Sequence, residues 1–472
     1  MAETTRCLNC ERLEKLVQQQ SKQIAELTAR VAQLERQLAA AKKNSRTSSK
    51  PPSSDITSPP TIKKKRQPIP ALKRKRNQRV AFEPDMIDRI LDYRADVCPC
   101  CGGSLEAAED LPVRVHQHAE LPQRVAEISE HRMHPGRCAD CGQVHYPALP
   151  EQLAAAGLVG PRLTALIGFL KGPCHASYSA IRKFFRDVVG VRVSRGLLAK
   201  LIAKTTAALE DPYDELLRLL TDQTVLNVDE TGHKDCGQRF WTWCFRAASF
   251  TVFKVAPTRS AEVLDEVLGE DFQGIIGCDY YSAYHKFIRQ RGVLAQFCLA
   301  HLIRDVRFLA EHPDAANRAY GERLLNHLRR LFEVYHRRAE YSSEVGWRRA
   351  LGRIRKSFIW DATMEVCDTT EASNLAERFY KHCDAYFRFI TEPDVAPTNN
   401  LAEQAIRFLA IHRRITQGTR GETGRKWLER MSTILATCEQ QSRSVFGFIV
   451  EAITAHFNGC AGPSLLPQPE PG

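Results

Sequence analysis

The stretch TVLNVDETG, from Thr224 to Gly232, decides how the rest of the chain is interpreted. Strand-favouring residues lead into the carboxylate of Asp229, where the pattern predicts that the strand ends. A charged group among apolar neighbours is costly unless it binds a metal or a proton. We therefore predict a functional site at Asp229.

A second acid, Asp279, also follows a predicted strand. RFWTWCFRA, from Arg239, and FTVFKVA, from Phe250, are close enough to pair as antiparallel strands. GIIGCD, from Gly274 to Asp279, is again an apolar strand that ends in a carboxylate. We expect Asp229 and Asp279 to lie at matching strand ends.

A third acid occurs much later, in PTNNLAEQAIRFLAIHRR. Asn400 is the expected N-cap of a helix whose apolar stripe is Leu401, Ala405 and Phe408, which puts Glu403 in the first turn. Asparagine followed three residues later by glutamate is also a capping-box pattern, worth about 1 kcal/mol and no chemistry. By itself, Glu403 is better explained as a cap than as a ligand.

Three carboxylates on two strands and a helix are what a two-metal phosphoryl-transfer site requires. Ligation by oxygen alone selects Mg²⁺ or Mn²⁺ over zinc. The composition of this site points to a nucleic-acid backbone as the substrate.

The length of 472 residues predicts three or four domains. No apolar run reaches the roughly 18 to 20 residues needed to span a membrane, and MAETTRCLNCERLEKL has no apolar signal core. These features predict a cytoplasmic protein, nucleoid-associated when bound to DNA. Its 16 cysteines are then reduced, and paired ones are better interpreted as metal ligands.

The net charge of +12 is concentrated in one tract. Residues 42–79 hold 13 Lys and Arg against the single acid Asp55, whereas the remaining chain has 54 of each sign. Such a tract suits a polyanion such as DNA, although a solvated linker has the same composition. Its richness in Ser, Pro and Lys predicts disorder. The DNA-contacting candidates in it are Lys63, Lys64, Lys65, Arg66, Lys73, Arg74, Lys75 and Arg76.

Residues 11–41 carry a heptad seam of nearly four repeats. Its members alternate at spacings of four and three: Leu13, Val17, Gln20, Ile24, Leu27, Val31, Leu34 and Leu38. The seam predicts self-association through a coiled coil, as a homodimer or a larger assembly. A single amphipathic helix docked on its own protein is the alternative.

Two Cys-x-x-Cys knuckles predict a structural zinc site of zinc-ribbon type. Cys98 and Cys101 would supply two sulfurs, and Cys138 and Cys141 the other two, with short strands between the knuckles. The alternative is that these cysteines are ordinary core residues.

A helix-turn-helix pattern follows. One helix ends at Gly190, and a second begins after Ser194 as N-cap and carries Arg195, Lys200 and Lys204 as candidate DNA contacts. A three-helix bundle without DNA-binding function shows similar periodicity.

The order of these segments resembles the insertion sequence 66 family of bacterial transposases. The resemblance rests on the heptad helix, KNSRTSSKPPSSD, the paired knuckles, VDETG, Asp279 followed by tyrosine, and TNNLAEQAIR, and it runs from about residue 10 to about residue 455. It implies a ribonuclease H-like catalytic domain with a DDE triad of Asp229, Asp279 and Glu403. It also favours Glu403 as a metal ligand.

The chain departs from the family pattern at two places. The family has Asp-Gly-Tyr at the second acid, where this chain has Tyr280, and Glu-Arg at the third, where it has Gln404. Both changes keep the carboxylates. The arginine that is replaced by Gln404 is a candidate phosphate contact, a role that Arg407, Arg413 and Arg414 can fill.

Cys298 and His301 resemble a Cys-x-x-His element that many DDE transposases carry after the second acid. Two ligands do not complete a metal site, so we interpret His301 either as a group that supports the acids or contacts DNA, or as a core histidine. GTRGETGRKW, from Gly418 to Trp427, is predicted to be a flexible basic loop.

The predicted organisation is multidomain α/β. It comprises a coiled coil (11–41), a basic disordered linker (42–79), a zinc-binding domain (80–150), a helix-turn-helix-like domain (155–212), a catalytic domain in two parts (220–305 and 396–458), an all-helical insertion (306–395) and a disordered tail (459–472). The predicted function is DNA transposition by strand cleavage and strand transfer, with accessory proteins as possible partners. A site-specific nuclease and a non-catalytic DNA-binding protein are the alternatives.

Overall fold

A computed structural model describes residues 8–41, 81–97, 99–104 and 112–466. Its contacts divide the chain into two units, of which the smaller comprises residues 61–131 and 184–192. The predicted basic linker, with its eight DNA-contacting candidates, lies outside the described residues, as do Cys98 and residues 467–472.

The larger unit contains a mixed five-stranded sheet and a separate small hairpin. The strands are β1 (Gly136–Arg137), β2 (Val144–His145), β3 (Val225–Asp235), β4 (Gln238–Arg246), β5 (Thr251–Ala256), β6 (Ile275–Cys278) and β7 (Leu294–Phe297). The sheet order is β5-β4-β3-β6-β7. The β4–β5 pair is antiparallel, as predicted; β3 also pairs antiparallel with β4, whereas β6 runs parallel to β3 and to β7.

Strand β3 does not end at Asp229, contrary to the prediction. It continues to Asp235 because it forms a long hairpin with β4, in which Asp229 pairs with Cys244. Cys236 and Gly237 connect the two strands with φ angles of 50° and 83°. A two-residue turn with both φ values positive matches the twist of an antiparallel hairpin.

Helices make up most of the described structure, so the fold is mixed α/β with a helical majority. They are α1 (Leu8–Ala41), α2 (Glu151–Ala156), α3 (Pro161–Lys171), α4 (Tyr178–Phe184), α5 (Arg195–Ala208), α6 (Glu210–Arg218), α7 (Ala261–Leu268), α8 (Ser282–Arg291), α9 (Leu299–Ala310), α10 (Ala315–His336), α11 (Glu344–Thr363), α12 (Thr370–Phe387), α13 (Asn400–Thr416), α14 (Glu422–Gln440) and α15 (Val445–Phe457). Residues 306–395, all of them described, contain helices and no strand.

Helix α13 packs on β3 and β4. Its buried face consists of Ala402, Ile406 and Leu409, which join Cys244 and Phe253 in one apolar cluster. The predicted stripe was one position out of register, because Leu401 is 43% exposed.

Helix α14 covers the edge strand β5 with polar side chains. Thr437 Oγ1, Thr433 Oγ1 and Glu429 Oε1 accept hydrogen bonds from alternate backbone N–H groups of β5, at 3.1, 3.0 and 2.7 Å. These bonds satisfy donors that an edge strand otherwise exposes. The predicted loop over Gly418–Trp427 is therefore wrong in its second half, since α14 begins at Glu422.

The predicted helix end at Gly190 and the predicted helix start after Ser194 are both observed. Helix α4 continues into a π-helical turn, Phe185–Val189, which ends at Gly190 with a φ of 81°. Ser194 caps α5 by accepting a 3.1 Å hydrogen bond from the Leu197 N–H.

One described stretch, Glu151–Lys171, is long and apolar enough by composition to cross a membrane. The expectation that no apolar run reaches a membrane-spanning length is therefore corrected for this stretch, whose charged residues are Glu151, Arg162 and Lys171. The chain is broken between α2 and α3, with Gly157 at a φ of 72° and Pro161 at the start of α3. Helix α3 packs against α5 and α15.

Two further predictions are corrected. The short strands expected between the cysteine knuckles do not form in residues 112–135, where Val113 and Val115 are 85% and 78% exposed and have no apolar layer to cover. The tail is ordered at least to residue 466, because Leu465 is fully buried and Ser464 Oγ donates to Glu215.

Candidate active site

The register of the sheet brings the first two acids to the same level. Asn227 on β3 pairs with Gly277 on β6, and Asp229 and Asp279 each follow two residues later. Side chains alternate between the faces of a strand, so residues at equal offsets from a pair point the same way. Backbone N–H groups of Glu230 and Tyr281 donate to the two carboxylates.

The start of α13 is tied to two strands, and this positions Glu403. Asn399 Nδ2 donates to the Val228 carbonyl at 2.8 Å, and the Asn399 N–H donates to Cys298 Sγ at 3.2 Å. Cys298 follows β7 and donates its own N–H to Cys278, the last residue of β6, at 2.8 Å. Glu403, four residues after Asn399, therefore lies beside the ends of β6 and β7.

The predicted N-cap is corrected from Asn400 to Asn399. Asn399 makes no side-chain cap bond, because its amide is used on β3 and its N–H on Cys298. With Asn399 as the N-cap, the capping-box position three residues later is Ala402, so Glu403 does not occupy it. Glu403 instead lies with Oε1 3.2 Å from His301 Nε2 and Oε2 3.7 Å from Arg304.

The acids repel one another in a buried setting. Burial raises the pKa of Asp229 well above its ordinary value, and the surrounding carboxylates of Glu230, Asp279 and Glu403 raise it further. Burial also raises the pKa of Asp279, although His301 and Arg259 oppose the shift. The hydrogen bond from His301 lowers the pKa of Glu403.

Two carboxylate oxygens in this group lack a properly aligned hydrogen bond. They are Asp279 Oδ1 and Glu403 Oε1, both buried; the contact from His301 to Glu403 is close but poorly directed. Anionic oxygens with unused lone pairs are the ligands that Mg²⁺ and Mn²⁺ prefer. Among the described residues, no three His, Cys, Asp or Glu side chains are close enough to hold one ion as they stand. The side chains must rotate before three of them share an ion.

Glu230 is a fourth acid next to the site, more fully buried than the three predicted acids, and sequence reasoning missed it. It lies on the opposite face of β3, where Arg259 pairs with Oε1 and the Tyr284 hydroxyl donates to Oε2. The Arg259 guanidinium also lies 3.7 Å from the ring centroid of Tyr281 and 5.0 Å from that of Trp241. The signal was present in VDETG, because consecutive acids on a buried strand must face different layers.

The tyrosine that departs from the family pattern has a packing role. The Tyr280 ring lies 4.1 Å from His285 and 5.2 Å from Phe297, measured between centroids, and Arg378 lies 4.7 Å from it. The side chain therefore points into an aromatic cluster, and the adjacent Tyr281 N–H remains free to bind Asp279.

The three predicted DNA-contacting residues of α5 differ in whether their side chains are free in solvent or held by the protein. Arg195 and Lys200 are exposed on α5, whereas Lys204 donates to the Ala155 carbonyl and lies 5.1 Å from the Phe457 ring. Lys204 is thus held by its own protein.

On α13, Arg407 and Arg414 are exposed. Arg413 donates to the Gly232 carbonyl. Burial, followed by the neighbouring charge of Arg414, lowers the pKa of Arg413.

Each cysteine knuckle contains a turn that is closed by a short backbone pairing. Backbone N–H groups of Cys141 and Asp140 donate to Cys138 and lower the pKa of its thiol. The turn is closed by the β1–β2 pair. In the other knuckle, Cys101 is exposed in a turn that the Val97–Ser104 bridge closes, and Cys98 lies outside the described residues.

Comparison with known proteins gives two family matches. A model of the "Transposase IS66 family" matches residues 156–426, more than half of the chain, and a "Family of unknown function (DUF6444)" matches residues 4–81. The first match includes all three acids.

Three curated relatives from Sinorhizobium fredii are similar over long stretches. The uncharacterized protein y4hP is 25% identical over 466 residues, covering 91% of this chain and 79% of its own length. The uncharacterized protein y4jD is 22% identical, covering 86% of each chain. The uncharacterized protein y4qI is 23% identical over 333 residues, covering 65% of this chain and 61% of its own length.

Proposed function

The chain belongs to the IS66 family of transposases, and from this membership we propose that it cleaves and joins DNA as a DDE transposase with a ribonuclease H-like catalytic domain. Asp229, Asp279 and Glu403 are the proposed triad. One observation carries the proposal. Asp229 on β3, Asp279 after β6 and Glu403 on α13 lie together, although Asp229 and Glu403 are 174 positions apart in the sequence.

The sheet supports the fold assignment. Three antiparallel strands followed by two parallel strands, with the first acid on the central strand and the second after its parallel neighbour, is the arrangement expected of a ribonuclease H-like domain. The helical residues 306–395 then form an insertion between the second and third acids.

The proposed chemistry is in-line displacement at a DNA phosphate. Two Mg²⁺ or Mn²⁺ ions held by the triad would activate the attacking oxygen and stabilise the leaving one. The protein positions the acids through backbone N–H groups at Asp229 and Asp279 and through the Asn399 anchor before Glu403. Water attacks first and frees a 3′ hydroxyl, which then attacks target DNA at the same site.

His301 is proposed to position Glu403. Its Nε2 faces the Glu403 carboxylate, and Cys298 Sγ accepts the Asn399 N–H. His301 and Cys298 therefore both help to position Glu403. The two-ligand metal alternative is not supported by these contacts.

Assembly and zinc binding are proposed on separate grounds. In α1 the described heptad residues are exposed, including Leu13 at 63% and Leu27 at 66%, as expected of a seam that pairs with another chain. The N–H bonds that lower the pKa of the Cys138 thiol favour the thiolate that binds zinc.

The test is a cleavage and strand-transfer assay on the cognate element ends. Wild-type protein with Mg²⁺ is expected to cut and join them, whereas Asp279→Ala should do neither; Asp271→Ala, at an exposed acid on the preceding loop, is the matched control. Cutting without joining would identify the nuclease alternative. Undiminished activity in Asp279→Ala would refute the triad.

A further inference from the structure

A basic cleft of about 680 Å³ opens where the tip of the β3–β4 hairpin meets the link between α13 and α14. Lys234, Cys236, Arg413, Arg414, Gln417 and Arg420 line it. Four of these side chains are cationic and none is acidic. The positive charge of the cleft is therefore not compensated by its own lining.

Asp235, which lies in sequence between the lining residues Lys234 and Cys236, is paired with groups that do not line the cleft. Asp235 is buried, and its Oδ1 accepts hydrogen bonds from the Thr419 hydroxyl and the Gly421 N–H, both at 2.7 Å. Its Oδ2 pairs with Arg425. The carboxylate is thus fully engaged and does not neutralise the lining cations.

The walls of the cleft are held together by the backbone. The Thr419 N–H donates to Lys234 at 2.9 Å, and the Cys236 N–H donates to Thr419 at 3.0 Å. Gly418 has a φ of 108°, and a Cβ there would collide with the Lys234 carbonyl oxygen. These contacts fix the two backbone segments that carry Lys234 and Arg420 against each other.

The cleft lies at a defined distance from the acids. Arg413 follows Glu403 by ten residues, or about 15 Å of helix at 1.5 Å per residue. Lys234 follows Asp229 by five residues, or about 17 Å of strand at 3.4 Å per residue. Both elements lead from the acids to the cleft. Because successive base pairs rise about 3.4 Å, either distance corresponds to four or five base pairs.

We propose that this cleft binds the sugar–phosphate backbone of duplex DNA four or five base pairs from the bond that is cut. The inference rests on the proposed function. Four cations spread along an open cleft suit a series of phosphates, and the cleft contributes affinity and alignment without reading sequence.

A native thiol allows a test without substitution. Cys236 lines the cleft and is exposed, and Cys460 is exposed after α15. Full-length protein is treated with N-ethylmaleimide, with and without a duplex carrying the element end, in the absence of added Mg²⁺ and Mn²⁺. Peptide mass spectrometry then gives the alkylation rate of each cysteine. We expect DNA to slow alkylation at Cys236 several-fold and to leave Cys460 unchanged.

Charge variants decide whether the cleft cations cause the protection. Arg414→Gln with Arg420→Gln should remove the protection of Cys236 and make the slope of log affinity against log salt shallower by about 1.8. Arg349→Gln with Arg353→Gln, at exposed positions on α11, removes the same charge elsewhere and should preserve the protection.

Two results would overturn the proposal. One is unprotected Cys236 in a complex whose formation is verified by gel shift, and the other is full protection in the Arg414 and Arg420 double variant. Neither result bears on the triad, because the experiment needs no cleavage. Conversely, an active Asp279→Ala variant would refute the proposed function while leaving the protection result intact.

Discussion

The two faces of β3 hold two neighbouring carboxylates, the partly buried Asp229 and the buried Glu230, with opposite surroundings. Glu230 has a guanidinium and a phenol hydroxyl on its two oxygens. Asp229 receives one backbone N–H and is surrounded by other acids. A buried acid whose counterions come from its own chain is structural, whereas an acid surrounded by acids needs a cation from outside. The difference separates a core ion pair from a proposed catalytic site.

The largest effect is expected from Asp229→Asn. Losing a ligand oxygen removes several kcal/mol of transition-state stabilisation, so cleavage should fall by at least about 10³-fold. Stability should not fall, because the amide removes a buried charge that nothing in the chain compensates. Single-turnover cleavage and thermal unfolding measure the two quantities. An Asp229→Asn variant that is both active and destabilised would contradict the proposed difference between Asp229 and Glu230.

Glu230→Gln is the matched substitution on the other face. It leaves Arg259 without its counterion, so the free energy of unfolding should fall by about 2 kcal/mol. Cleavage by the folded variant should stay within about tenfold of wild type, since Glu230 does not reach the proposed metal site. Urea unfolding gives the stability; a loss of cleavage as complete as in Asp229→Asn would place Glu230 in the catalytic group.

A smaller effect is expected at the anchor of α13. Asn399→Ala removes the bond to Val228 and displaces Glu403, and a displacement of about 1 Å can cost about 10²-fold in rate. Asn400→Ala, at the exposed neighbouring asparagine, should keep the wild-type rate. Equal rates in the two variants, measured with saturating DNA, would show that the anchor does not position the acid.

The smallest effect is a dependence of stability on pH. The folded pKa of Asp229 is raised, so its contribution to stability is fully present below the ordinary pKa and is lost as pH rises through the folded pKa. Asp229→Asn lacks this loss and should gain stability relative to wild type as pH increases, by up to about 1.4 kcal/mol for each pH unit between the ordinary and the folded pKa. Thermal melts of both proteins from about pH 4 to about pH 8 measure it; parallel curves would argue against the buried charge.

Local pattern was enough to predict the strands and helices that carry the acids. Alternation and composition predicted β4, β5 and β6 and the caps around Ser194. The meeting of Glu403 with Asp279 was not accessible in that way, because 123 residues, most of them in the helical insertion, lie between them and no local period links them. Family resemblance supplied that link.

Two of the errors share one physical cause, which is competition from contacts outside the segment itself. Asn399 gives its side chain to β3, so the local capping rule failed there. Strand β3 extends past Asp229 because β4 pairs with it. The start of α14 was missed for a different reason. Gly421 as N-cap followed by Glu422 signals a helix start, but the glycines of GTRGETGRKW favoured a loop.

The helical insertion between the second and third acids has a consequence for synthesis. A ribosome that adds about 5 to 20 residues per second needs about 6 to 25 s to travel from Asp279 to Glu403. Throughout that interval the nascent chain carries two acids and lacks the third. If the three acids act together as proposed, a nascent chain that has not reached Glu403 cannot cut DNA, and the site is completed only in the last part of synthesis.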